Sequence, residues 1–150
     1  MKNIFLSLSA ILILSFSSQA QKTKKVAAKV NVPENVNASF KGTFATVEKS
    51  EWNKTNVGNY VASFTNTDNL SQVAEYNQEG VMVKSKVIYN LEALPENVTS
   101  ALSKKYADAK VTECVKMQIP GVTPYYKVKL ETSTNQKREL FISEEGSVVE

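Results

Sequence analysis

The sequence predicts an α+β fold in which a helix followed by an antiparallel β-meander is made twice, with the helices packed on one face of the sheet. Three observations predict it. The block Val32-Pro33-Glu34-Asn35-Val36 returns as Leu94-Pro95-Glu96-Asn97-Val98, and self-similarity at a fixed displacement is the mark of a repeated structural unit. Behind each block the apolar residues recur with helical spacing, and beyond that stretch the period switches to two, which is the signature of half-buried strands. Asparagine and glycine steps separate the alternating segments, supplying the backbone freedom that tight turns need.

The first unit is expected over 32–91 and the second over 92–150. Each opens with a proline, which a helix tolerates only in its first turn, followed by a glutamate that suits the positive end of the helix dipole. The expected helical stripes are Val36, Phe40, Phe44 and Val47 in one copy and Val98, Leu102, Tyr106 and Ala109 in the other. Tyr60, Ala62 and Phe64 then alternate with Val61, Ser63 and Thr65, and Tyr126, Val128 and Leu130 with Lys127, Lys129 and Glu131. Further short strands are expected near 48–54, 72–77 and 81–89, with counterparts near 110–117, 138–143 and 147–150. Turns are expected at Asn56 to Asn59, at Asn66 to Asn69, and at Glu79-Gly80 and Glu145-Gly146. The match between copies continues past a short insertion near Pro120 to Pro124. A unit of about sixty residues buries only about 60% of its unfolded surface, so the two copies are expected to share a sheet or to pack together. The sequence leaves both arrangements open.

Ahead of the units, Lys2 precedes an apolar run from Ile4 to Phe16 interrupted by serines, and Ser18 and Ala20 supply a small-residue cleavage site. This reads as a signal peptide over 1–20, cut after Ala20. The run is too short to span a bilayer, and no cysteine follows the cut to carry a lipid, so the mature chain is expected to be periplasmic or secreted and not membrane-spanning. Lys22, Lys24, Lys25 and Lys29 crowd into a basic, flexible leader over 21–31. The net charge of the full chain is +3, and these four lysines are the source of its positive sign; the body is slightly acidic and has no basic face interleaved with aromatics, so nucleic acid is not an expected partner.

The chain has no histidine and a single cysteine, which excludes a zinc site of the usual ligand types, a Ser/His/Asp triad and an intramolecular disulfide. No cofactor or metal is expected. Acid/base catalysis would need paired carboxylates in a cleft; the nearest candidates are Glu51 with Glu113, at equivalent positions of the two copies, and Glu144 with Glu145 at a turn. Turn and strand-edge glutamates are ordinarily solvated charge, so the chain is not expected to be an enzyme. Cys114, at the position equivalent to Trp52, reads as a small buried hydrophobe.

The strand positions that the helices do not cover are the better candidates. In the first copy these are Val61, Ser63, Thr65, Val73, Glu75 and Asn77; in the second they are Tyr125, Lys127, Lys129, Glu131, Glu139 and Phe141. Tyr125 and Phe141 among lysines and glutamates have the anchor-and-rim composition of a protein-recognition surface, which is also the composition of an ordinary solvated sheet face. Trp52 is a further candidate anchor, with a place in the core as the alternative.

A signal peptide, two tandem units opening Val/Leu-Pro-x-x-Val, an aromatic residue at the helix end, Trp52, and the Tyr60-x-Ala62-x-Phe64 strand closed by a glycine turn resemble the PepSY-like secreted proteins, a group described as similar to β-lactamase-inhibitor protein. The resemblance covers 32–150 and departs at Cys114, where the pattern leads one to expect tryptophan. It implies a tandem helix-on-sheet fold in the periplasm. The expected function is a non-enzymatic exported binding protein, a peptidase- or hydrolase-inhibitor-like module that holds a protein or peptide of the cell envelope on its open sheet face. The alternative is a small-ligand or envelope-component binder, for a peptide or lipid, with its pocket between the units.

Overall fold

The computed structural model describes residues 30–149. The expected signal peptide and nearly all of the basic leader lie outside the described residues. The elements run α1 (Glu34–Thr43), β1 (Ser50–Lys54), β2 (Tyr60–Thr65), β3 (Ser71–Tyr76), β4 (Met82–Ile88), α2 (Glu96–Lys105), β5 (Lys110–Ile119), β6 (Val122–Glu131), β7 (Lys137–Ser143) and β8 (Val148–Val149). None of these helices is long and apolar enough to cross a membrane.

Both helices start where the proline punctuation places them. Pro33 and Pro95 are the N-cap residues, with ψ of 151° and 144°, so each ring sits just outside the helix and removes no intrahelical hydrogen bond. The C-terminal ends come earlier than the apolar spacing predicts. Phe44 and Tyr106 leave helical geometry at φ −123° and −133°, so Val47 and Ala109 stand beyond the helices. The stripe reads as too long because all four residues still pack against the cores after the backbone has turned.

Every consecutive pair of strands is antiparallel and hydrogen-bonded, giving one eight-stranded sheet in chain order. The seam between the two groups of four strands is β4 against β5, with Ser85 opposite Gln118, Lys86 opposite Met117, Val87 opposite Lys116 and Ile88 opposite Val115. A shared sheet is therefore the arrangement adopted. The segment around Pro120 forms the β5–β6 hairpin, where Thr123 and Pro124 fall between Val122 and Tyr125 while only Gln118 separates Ile119 from Met117 on the partner strand. A proline at a bulge interrupts the ladder where it is already irregular.

Two cores sit beneath the helices. Val36 and Phe40 of α1 pack with Tyr60, Ala62, Phe64, Ala74 and Tyr76. Val98, Ala101 and Leu102 of α2 pack with Cys114, Tyr126, Val128, Leu130, Leu140 and Ile142. The first core combines large rings with alanines, while the second is mostly branched aliphatic with Tyr126 as its one buried ring, two ways of filling a layer to close-packed density. Phe40 is the hub of the first, with the Trp52 and Phe64 rings each 5.2 Å away. Near the seam the packing turns polar: buried Gln72 donates its side-chain amide to the Ser85 hydroxyl at 2.9 Å, which satisfies groups that would otherwise be costly to bury.

Candidate binding face

Alternation along β2 sends Tyr60, Ala62 and Phe64 into the first core and leaves Val61, Ser63 and Thr65 on the other side. Residues directly opposite one another in an antiparallel pair share a side, so the register carries this second face across the molecule. Val61 lies opposite Glu75 and Ser63 opposite Val73. Glu75 and Val73 lie opposite Lys84 and Lys86, and Lys86 and Ile88 opposite Met117 and Val115. Val115, Glu113 and Met117 lie opposite Lys127, Lys129 and Tyr125, and Lys127 and Lys129 opposite Phe141 and Glu139. The face is continuous through the seam.

Its centre is a concavity of about 430 Å³ with Val61, Val73, Ile88, Val115 and Met117 as its apolar lining. Val115 is only 4% exposed although no helix covers it, because it lies at the floor of the hollow. Glu75, Lys84, Lys86, Glu113 and Lys127 complete the wall. Most of this charge is internally matched: Lys84 pairs with Glu75 at 3.1 Å, Lys129 with Glu113 at 3.2 Å and Lys127 with Glu139 at 3.7 Å. The Asn59 side-chain amide, 2.8 Å from the Glu75 carboxylate, is the main reason that carboxyl sits below the usual range, and Lys84 adds to the effect against the opposing cost of burial. Such pairs at a solvated face contribute little to stability; they fix side-chain positions on the wall.

Among the residues expected on the open face, Val61 and Lys127 line the hollow from opposite sides. Tyr125 and Phe141 flank it on the second half, their rings edge-on at 76° with centroids 5.7 Å apart. Ser63 and Lys129 lie on the same face beyond the lining, and Thr65 lies toward the end of β2, exposed. Trp52 takes the second of its two expected places, against the core. It lies opposite Ala62, on the helix side, where it packs on Phe40 and Tyr76 and donates its indole N–H to the Ser50 hydroxyl at 3.1 Å. It belongs with the core because strand β1 is paired so that its one large apolar residue falls under α1.

The candidate carboxylate pairs also separate. Glu51 is on β1 and Glu113 on β5, four strand spacings or roughly 19 Å apart across the sheet, too far to share one reacting group. Glu144 pairs with Lys116, while fully exposed Glu145 has its carboxyl lowered by the Ser143 hydroxyl and by its own backbone. Cys114 is buried as expected, at 1% exposure, and burial pushes its thiol up to about 11.

Sequence reasoning missed the middle of the face: Lys84, Lys86 and Ile88 on β4, and Val115 and Met117 on β5. The signal was present in the alternation of Lys84, Lys86 and Ile88 with buried Ser85 and Val87. Without the β4–β5 pairing, nothing joined those positions to the ones chosen. A second hollow, of about 490 Å³, lies on the helix side near the seam, with Phe44, Gln72, Tyr89, Lys116 and Gln118 in its wall. Burial and the neighbouring Tyr126 raise the Tyr89 phenol to about 12.

No protein-family profile matches the chain, and no curated protein matches it. Solved structures do. A BLIP-like protein of Bacteroides fragilis NCTC 9343 superposes with a TM-score of 0.71 at 18% identity, covering 81% of this chain and 85% of that one. A DUF2874 family protein of Bacteroides ovatus ATCC 8483 gives 0.68 at 22% identity, covering 81% and 86%. A candidate periplasmic protein of Bacteroides eggerthii DSM 20697 gives 0.65 at 18% identity, covering 81% and 88%. At these identities the likeness is one of fold, and the chain's α+β fold is similar to that of BLIP-like and DUF2874 proteins.

Proposed function

We propose that the chain is a non-enzymatic, exported binding module that holds a protein or peptide of the cell envelope on its open sheet face. The observation that carries this reading is the hollow itself: an apolar floor, walls of mostly paired charge, and the Tyr125–Phe141 ring pair at its flank, all on one face continuous across the β4–β5 seam. A desolvated apolar centre with aromatic anchors inside a polar rim is the composition that protein interfaces use. The reading takes the chain as a PepSY-like tandem of two units, 32–91 and 92–150, whose helices cover one side and so leave the other side free over its full width. The match to BLIP-like proteins and to a candidate periplasmic protein supports a binding role and an envelope location. The lack of histidine in the whole chain supports a role without catalysis.

The test is affinity capture from an envelope extract with the mature chain from Gln21 and a shorter one from Asn31. A protein retained by both, and lost when Tyr125→Ser and Phe141→Ser are combined, supports recognition by the face. Retention that survives the double substitution sinks the proposed site, and retention by the longer form alone moves binding to the lysine leader. The helix-side hollow near the seam favours a second reading, a small-ligand binder. That reading requires a ligand-dependent rise in melting temperature that is lost on changing Gln118 or Lys116 and kept on changing Tyr125.

A further inference from the structure

We infer that the partner presents a carboxylate set among apolar side chains and that Lys86 receives it, an assignment that rests on the open-face reading above. Five charged residues stand in the wall of the hollow. Glu75 and Lys84 neutralise each other, Lys129 satisfies Glu113, and Glu139 satisfies Lys127. Lys86 is left, with no ion pair or side-chain hydrogen bond among the described residues. It is half-buried and has Val73 and Met117 as its cross-strand neighbours, so the side chain rises from an apolar surround.

A partner that covers the hollow strips water from that ammonium. A desolvated charge without a counter-charge costs more than the surrounding apolar contacts return, whereas the three existing pairs ask for nothing further. The face therefore requires one negative charge from its occupant, at one place. A carboxylate meets that requirement. A phosphate-bearing polymer or a lipid surface brings a row of negative charges, and the face has one unmatched cation to receive them. Around the carboxylate, the floor made by Val61, Val73, Ile88, Val115 and Met117 selects apolar neighbours on the partner chain.

The experiment selects phage-displayed, disulfide-constrained peptides of randomised sequence on the mature protein and on Lys86→Gln, Lys86→Glu, Lys86→Arg and Val73→Arg variants, each first shown to melt like the parent. The expected result is enrichment of Asp or Glu flanked by apolar residues. Those peptides should lose about tenfold or more in affinity for Lys86→Gln and retain binding to Lys86→Arg, and selection on Lys86→Glu should turn to Lys or Arg at the same position. Peptides that Val73→Arg blocks but that show no acidic preference, and bind Lys86→Gln equally well, overturn the Lys86 assignment and leave the face reading standing. Peptides indifferent to Val73→Arg, or no enrichment at all, overturn both.

Discussion

The side-chain amide of Asn97, in the first turn of α2, donates to the backbone carbonyl of Glu144 at 2.8 Å, tying the start of the helix to the turn between β7 and β8. Asn35 in α1 does the same to the carbonyl of Gln78 at 3.0 Å, in the turn between β3 and β4. In both places a glycine follows two residues later with positive φ, 83° at Gly80 and 82° at Gly146. The glycines are needed twice over, because a Cβ at Gly80 would come 3.0 Å from the Asn35 carbonyl oxygen and one at Gly146 would come 3.2 Å from that of Asn97. The Pro-Glu-Asn-Val blocks and the Glu-Gly steps, distant in sequence, recur together because they touch.

Gly121 separates the two contributions at Gly80. It has φ 78°, but a Cβ placed there would meet nothing within 4 Å, so Gly121→Ala meets only the left-handed strain of about 1–2 kcal/mol. Gly80→Ala adds the clash with the helix start and should cost clearly more, while Asn35→Ala, which removes a hydrogen bond between exposed groups, should cost about 1 kcal/mol. Urea denaturation of the three variants is the measurement. Equal costs for the two glycine changes would show that the helix start does not restrain the turn.

Much of this architecture was legible because the relevant signals are local. Pro33 and Pro95 mark the helix starts, Gly58, Gly80 and Gly146 mark turns, and the alternation of Tyr60 to Thr65 and Tyr126 to Glu131 assigns two faces without reference to any other strand. The side of Trp52 and the place of Lys86 in the hollow were not legible for the opposite reason. Both depend on register, with Trp52 fixed by its pairing to Ala62 and Lys86 by its place between Val73 and Met117, and the pairing of β4 with β5 has no mark in the intervening sequence. The helix ends were overread because Phe44 and Val47 stay apolar for the core's sake after the backbone has left the helix.

Phe40 and Phe141 offer a direct contrast between core and face. Phe40 is 3% exposed and meets the rings of Phe44, Trp52, Phe64 and Tyr76, so Phe40→Ala leaves a cavity under α1 and should cost about 3–5 kcal/mol. Phe141 is 37% exposed and has one aromatic neighbour, Tyr125. Phe141→Ala should cost about 1 kcal/mol or less, the scale of an isolated edge-on ring contact. Thermal melts followed by circular dichroism distinguish the two, and a large loss at Phe141 would mean that the open face is part of the core.

Stability should fall in alkali because two buried acids hold their protons longer in the fold than in the unfolded chain. Burial raises the Cys114 thiol from 9.0 to about 11 and the Tyr89 phenol from 10.0 to about 12. In each case the unfolded chain releases the proton first. For Cys114 the stabilising contribution is therefore complete below pH 9, declines above it and is spent by about pH 11, about 3 kcal/mol in all; for Tyr89 the decline starts near pH 10. Cys114→Ala should remove that lower step and leave the one due to Tyr89. At the acid end the sign reverses: the Glu75 carboxyl is held below 4.5, so its contribution is present above that value and disappears as the pH falls through the lowered one. Glu75→Gln should flatten that acid limb. Denaturation midpoints measured from pH 3 to pH 12 test both limbs.

The chain carries one tryptophan and one cysteine, and the fold puts them in different cores. Trp52 packs against the first, beneath α1, and Cys114 lies in the second, beneath α2. The β4–β5 ladder joins the strands of those cores edge to edge, and breaking it would expose two rows of backbone groups and the floor of the open face at once. A unit of about sixty residues is marginal by itself, so neither half should persist once the other has melted. Trp52 fluorescence and the reaction of Cys114 with a thiol reagent, followed across the same urea series, should give one coincident transition. Exposure of Cys114 at a lower urea concentration than the Trp52 transition would mean that the seam does not couple the halves, and that the two cores fold as separate units within one sheet.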